Sequence, residues 1–594
     1  MRRILVTLAL VAALFALPAA APAQNGRAPA TQPTAVGTGG AAATVDPLAT
    51  RAAIDVLRRG GNAIDAAVAA AGVLGVVEPY SCGIGGGGFM TIYSAHDRVV
   101  HTIDSRETAP TAMTPTAFTG LSRFEAQRVS GMSVGVPGTV RAWETALREF
   151  GTLTLRQALQ PGIATARRGF VVDPTFFDQT DDAKAIFGDF PATAALYLDR
   201  DGTPRDVGAV IRNRALARTY ALLARDGADA FYHGRLARAI VNTVRRPPLR
   251  TGSTRAVRPG VLSLSDLARY HTVDRVPTSV GYRGLAVIGM GPPSSGGATV
   301  GEALNILERF PLGQLPRADA TYDYLEASRL AFADRGTWLG DSSFFNVPLR
   351  GLLSDSFAAE RAPLIGPNAP AGAVPAGDPT DNAPAAPADT SASATRVGST
   401  TNMTVTDRAG NVVEYTFTIE QTGGNGMVVP GYGFLLNNEL TDFNLGSDGT
   451  SPRGANQLAG RKRPRSSIAP TIVLRNNRPF LAVGSPGGAT IITTVLQILS
   501  ERIDFGRTLP QANADPRASQ RNTAKTDVEQ AFLDQTDLVA KLQARGHQFN
   551  PPAEIGAATG IEFLGDGRVL AAAEPVRRGG GSAMVVSDRG GGHG

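Results

Sequence analysis

Cysteine is almost missing from this chain of 594 residues: Cys82 is the only one. That excludes an internal disulfide and any multi-cysteine zinc or iron–sulfur site. Histidine is scattered over six positions, none at metal-ligand spacing. Lysine is down to Lys184, Lys462, Lys525 and Lys541, so the net charge of +6 and the pI near 9.6 are carried by arginine. Aromatics make up 6% and form no stacking motif, and the one dense basic cluster is Arg461-Lys462-Arg463-Pro464-Arg465. That pattern argues against a nucleic-acid binder. Hydrophobic residues, at 43%, suffice for a large core.

Only one stretch is continuously apolar. Residues 1–23 combine Arg2 and Arg3, an apolar run over 4–17 and Ala21-Pro22-Ala23. They read as a signal peptide, too short to span a membrane stably, so the mature chain is expected in the periplasm or outside the cell. Residues 24–42, rich in Gly, Ala, Pro and Thr, read as disordered. Helical spacing follows on both sides of Gly60-Gly61-Asn62, a break and cap, and returns at 322–334. Residues 43–365 form one large unit. Residues 366–399, rich in Pro, Ala and Asp, read as a disordered linker, and residues 400–594 resume at once as β structure.

Residues 400–420 alternate around Arg408-Ala409-Gly410, a three-residue hairpin loop ending in Gly. Centring the turn on Ala409 sets Thr400 opposite Thr418, Asn402 opposite Thr416 and Thr404 opposite Glu414. Met403, Val405, Val413, Tyr415, Phe417 and Ile419 share a core face. The other face, from Thr400 to Glu420, is polar and suits water or a ligand.

Four further motifs stand out. Gly484-Ser485-Pro486-Gly487-Gly488 joins a strand to a helix; its N–H groups suit an anion or an oxyanion, or simply a tight turn. Gly83-Ile84-Gly85-Gly86-Gly87-Gly88 matches a dinucleotide fingerprint in letters only. A helix precedes it and a strand follows, the reverse of the required order, so close backbone packing explains it better. Glu439 and Asp442 suit an ammonium group or a solvated acidic turn. Ser466 and Ser467 after Arg465 suit a carboxylate or a turn before a strand.

With GGNAIDAAVAA, GVPG at 135–138, PPSSGG at 292–297, EASRLAFADR at 326–335, LNNELTDF and GSPGGATIITTVLQ in one order, the chain resembles the γ-glutamyltransferase (γ-glutamyltranspeptidase) family of N-terminal-nucleophile hydrolases. The resemblance implies an α+β fold, a four-layer αββα sandwich with two central antiparallel sheets and a helical region. It is formed by two chains after self-cleavage between Ser399 and Thr400. It implies Thr400 as nucleophile, Thr418 as its orienting partner, and Gly487 and Gly488 as oxyanion donors. Glu439 and Asp442 would hold a substrate α-ammonium. Arg106, Ser466 and Ser467 would hold its α-carboxylate, and Glu420 would be a polar ligand at the same end. Neither cofactor nor metal is implied. Partners are small γ-glutamyl compounds such as glutathione, and the two chains of one precursor. Asn402 stands where many members have His, the 444–462 segment is short, and Cys82 replaces a small hydroxyl residue. The alternatives are a cephalosporin (glutaryl) acylase of the same family and an unprocessed periplasmic binding paralogue.

Overall fold

A computed structural model describes residues 31–380 and 399–587; the signal-peptide reading lies outside them. Twelve strands make the central layers: β1 (Thr34–Thr44), β2 (Gly87–Ser94), β3 (Val99–Asp104), β4 (Thr278–Tyr282), β5 (Leu285–Gly289), β6 (Thr401–Asp407), β7 (Val412–Thr418), β8 (Thr471–Arg475), β9 (Arg478–Gly484), β10 (Thr559–Phe563), β11 (Val569–Ala572) and β12 (Ser582–Ser587). All neighbours pair antiparallel. One sheet runs β3-β2-β7-β6-β1-β12 and the other β1-β11-β10-β9-β8-β5-β4, so β1 belongs to both.

The helical layers are α1 (Ala63–Val77) on one side and α2 (Gly296–Leu307), α3 (Arg317–Trp338) and α4 (Thr490–Ile503) on the other. Asn62 caps α1 through Ile64 and Asp65 N–H, and Asp65 returns a bond to the Asn62 N–H, so the sequence break at Gly60-Gly61-Asn62 is where α1 begins. All of α1 is buried, against Met403, Val405, Val413, Tyr415 and Phe417. Helices α2, α3 and α4 pack with Val287, Val473, Leu481 and Val483. The layers are thus α, β, β, α, the architecture expected.

Two readings from composition need correction. Residues 34–42 are not disordered but belong to β1, at the junction of the two sheets. Thr34–Gly37 pairs with β11, and Gly40 onward pairs with β6. The strand changes sheets at Gly39 and Gly40, both at positive φ, a bend open to glycine. Its small side chains mimic a linker's composition, but they suit the narrow space between two sheets, where Ala41 and Ala43 meet Ile561 and Ala571. Likewise residues 366–380 are tied to the body. Ala369 N–H donates to Arg545 O at 2.7 Å, Val374 N–H to Asn522 Oδ1 at 2.7 Å, and Trp338 Nε1 to Gly377 O at 2.9 Å. The body satisfies their backbone, so no large side chain is needed. The rest of the predicted linker, up to residue 398, lies outside the described residues.

The polar face of the 400–420 hairpin is not solvated. Residues 402–406 and 412–416 are buried, with Asn402 Nδ2 donating to Glu414 Oε1 at 2.6 Å and to Thr559 Oγ1 of β10 at 2.8 Å. Gly484 admits this contact, since a Cβ there would overlap the Glu414 and Asn402 side chains. Burial without a counter-charge holds the Glu414 carboxyl far above the ordinary range.

Candidate active site

The hairpin register is the one read from the turn: Thr401 pairs with Phe417, Asn402 with Thr416 and Thr404 with Glu414. It brings Thr400 to Thr418 at the open end of the pair. Thr400 Oγ1 lies 2.6 Å from Ser399 O and 3.2 Å from Thr418 Oγ1, while Thr418 Oγ1 donates to Ser399 O at 2.8 Å. Glu420 N–H fixes the Thr418 hydroxyl from the other side at 2.8 Å. The glycine run behaves as close-packing backbone. Gly87 and Gly88 pair with Thr418 and Phe417, and a Cβ on Gly86 would overlap Thr418 O.

Around this hydroxyl pair is a cavity of about 570 Å³ whose lining includes Arg106, Glu420, Glu439, Asp442, Ser466, Ser467 and Gly488. Nine of the ten side-chain and loop positions expected from the sequence therefore meet in one cavity. Gly487 is not among its lining residues, but it shares the loop between β9 and α4, at positive φ like Gly488.

Glu439 and Asp442 lie on a short helical turn, Glu439–Asp442. Asn437 anchors this turn by donating to Gly85 O and Gly135 O, at 2.7 and 3.0 Å. Asn438 Nδ2 bonds Glu420 and, at 3.0 Å, Thr441 Oγ1. The Arg106 guanidinium pairs with both Glu439 and Asp442. Burial opposes its charge, but the two carboxylates outweigh burial and raise its pKa. Burial pushes Glu107 up to about 8 and, helped by the Asp442 charge, Glu420 up to about 7. Burial also raises Glu439, against the pull of Arg106. Three carboxyl groups, Glu107, Glu439 and Asp442, thus surround one guanidinium, with Glu420 close to Asp442, a setting that favours a ligand bearing a cation.

Several contributors escaped the sequence reading. Arg335, in EASRLAFADR, donates to Ser467 Oγ and Ser295 Oγ, each at 2.8 Å, and Ser295 Oγ donates to Ser466 O at 2.6 Å. Two blocks quoted only as resemblance thus hold the serine pair. Arg463, inside the basic cluster, is buried and donates to Arg106 O at 3.1 Å. With Lys462 and Arg465 also buried, the cluster is internal scaffolding and not a surface stripe. Cys82 is buried too, and burial pushes its thiol well above its ordinary value. Among the described residues no group of acidic, His and Cys side chains has a metal-binding arrangement.

Residues 49–584 match the model of the family described as gamma-glutamyltranspeptidase. The chain belongs to that family. It is an enzyme of this kind, and its two-sheet fold is that of the family's N-terminal-nucleophile hydrolases. The glutathione hydrolase proenzyme of Bacillus subtilis (strain 168) is 38% identical over 545 residues, 89% of this chain and 88% of that protein. The acylase ACY 1 proenzyme of Pseudomonas sp. (strain SE83) is 34% identical over 552 residues, 91% of this chain and 92% of that protein. Among solved structures, the cephalosporin acylase from Bacillus halodurans superposes with a TM-score of 0.80 at 28% identity, covering 96% of this chain and 99% of that one.

Proposed function

We propose that this gamma-glutamyltranspeptidase-family enzyme cuts itself between Ser399 and Thr400 and then cleaves γ-glutamyl amides, with glutathione as the model donor. The single observation that carries this reading is the meeting of Thr400, Thr418, Arg106 and Asp442 at one cavity.

In the precursor, Thr400 Oγ1 attacks the Ser399 carbonyl carbon. The C–O bond forms, the C–N bond breaks, and the hydroxyl proton passes to the Thr400 nitrogen. Thr418 Oγ1, at 2.8 Å, donates to the Ser399 oxygen as it takes on charge. Water then hydrolyses the ester, leaving a Ser399 carboxylate and a free Thr400. A free α-amine with pKa about 7.7–8.0 can deprotonate its own side chain. In turnover, Thr400 attacks the γ-carbonyl, and Gly487 and Gly488 supply N–H donors to the oxyanion. The γ-glutamyl ester passes to water or to an amino acid.

The ion-pair geometry refines the substrate clamp. The Glu439 side chain is 1% exposed and acts as a standing counter-ion for Arg106, whereas Asp442 is 31% exposed and is the acid that meets the α-ammonium. Arg106 with Ser466 and Ser467 meets the α-carboxylate. The same acids disfavour the acylase reading, because a glutaryl group has no ammonium to pair with them. Export by the N-terminal segment fits a periplasmic or extracellular enzyme; among the described residues no helix is long and apolar enough to cross a membrane. The test is Thr400→Ala: one chain on a denaturing gel and no turnover. Two chains from that variant would refute the assignment.

A further inference from the structure

A second set of contacts, from residues that do not line the cavity, grips the residues flanking the cut. Ser399 Oγ donates to Ser81 Oγ at 2.8 Å, and Ser81 Oγ donates to Glu78 Oε2 at 3.2 Å. From the opposite end of the chain, Arg578 Nη1 donates to Thr400 O at 2.9 Å. Ser81 and Ser399 are fully buried. Glu78 lies at the C-terminal end of α1, where its N–H donates to Leu74 O, and Ser81 N–H donates in turn to Glu78 O at 3.0 Å. The pair is therefore built on a rigid element, and Ser81 and Glu78 are absent from the lining of the substrate cavity.

We propose that Ser81 and Glu78 are positioning residues for self-cleavage: they grip the Ser399 hydroxyl so that its carbonyl carbon is presented to Thr400 Oγ1, and they play no part in turnover. This rests on the self-cleavage reading above and specifies how the precursor is aligned. Three groups converge on Ser399 and leave its carbonyl little freedom: Thr400 and Thr418 at its oxygen, Ser81 at its side chain. Such alignment is what an intramolecular attack needs. The charged and titratable groups facing Glu78 are Asp46, Asp173 and Cys82, with Arg578 in partial compensation, and burial raises the Glu78 carboxyl to about 8.

The experiment follows conversion of the purified precursor to two chains on denaturing gels, for wild type, Ser81→Ala, Glu78→Ala, Ser399→Ala and the double variant Ser81→Ala/Ser399→Ala. Each single variant should slow conversion about fivefold or more, the effect of losing one aligning hydrogen bond. The double variant should be no slower than the slower single, because both remove the same contact. Once converted, all should give wild-type kcat and KM per mole of small chain. Thermal melts in a Thr400→Ala background separate alignment from folding, and unchanged melts with slowed conversion support the proposal. Conversion at the wild-type rate, additive effects in the double variant, or a matching loss of kcat after conversion would each overturn it. In all those cases the cleavage reading itself stands; only cleavage in Thr400→Ala would bring that down.

Discussion

Replacing Asp442 by Asn tests the electrostatics of the substrate end most directly. The substitution keeps the shape of the side chain and removes one charge. Arg106 retains Glu439, its fully buried counter-ion, so the guanidinium stays paired and in place. What is lost is the partly exposed carboxylate that faces the cavity. A hydrogen bond to a charged group contributes about 1.5–3 kcal/mol; with the solvent screening of a group 31% exposed, about 2 kcal/mol is a fair figure. At 1.36 kcal/mol per decade, that is roughly a 30-fold fall in kcat/KM. The assay compares γ-glutamyl-p-nitroanilide with glutaryl-p-nitroanilide, which differ by the α-ammonium. The first should fall about 30-fold and the second should change by no more than about threefold. Equal losses on both, or no loss on the γ-glutamyl compound, would refute the argument that Asp442 binds the ammonium.

Other expectations follow from the buried acids. Glu420, held at about 7 by burial, the Asp442 charge and the offsetting contacts of Gln421, Asn438 and Arg128, loses its proton as pH rises through neutrality. The KM for a γ-glutamyl donor should therefore fall as pH rises through about 7, and Glu420→Gln should remove that inflection; persistence of it would assign the titration elsewhere. Glu414 keeps its proton in the folded chain well above 4.5, where the unfolded chain loses it. Folding then binds the extra proton, so stability drops as pH rises above that value. Glu414→Gln, with no proton to lose, should show a smaller fall in Tm between pH 5 and pH 8 than wild type, and an equal fall would contradict burial as the cause.

Much of the site was legible along the chain because its parts are local. A three-residue turn sets the hairpin register, and with it the meeting of Thr400 and Thr418. Asn62 and Asp65 announce a helix start by their spacing. The Gly484 loop lies between strand and helix as its letters predict. Composition misled where it stood for context: β1 looks like a linker because its Gly and Ala residues are small, and being small is what lets it pass between two sheets.

Tertiary structure alone decided the rest. That the hairpin's polar face is buried depends on Thr559, some 150 residues downstream, closing over Asn402. That Arg106 is paired before any substrate arrives depends on acids 333 and 336 residues away. That Ser81 reaches Ser399 depends on folding together positions 318 residues apart. Local chemistry writes periodicity, caps and turns into neighbouring letters. The partner of a buried charge or hydroxyl is chosen by the packing of layers, and no spacing in the chain records it.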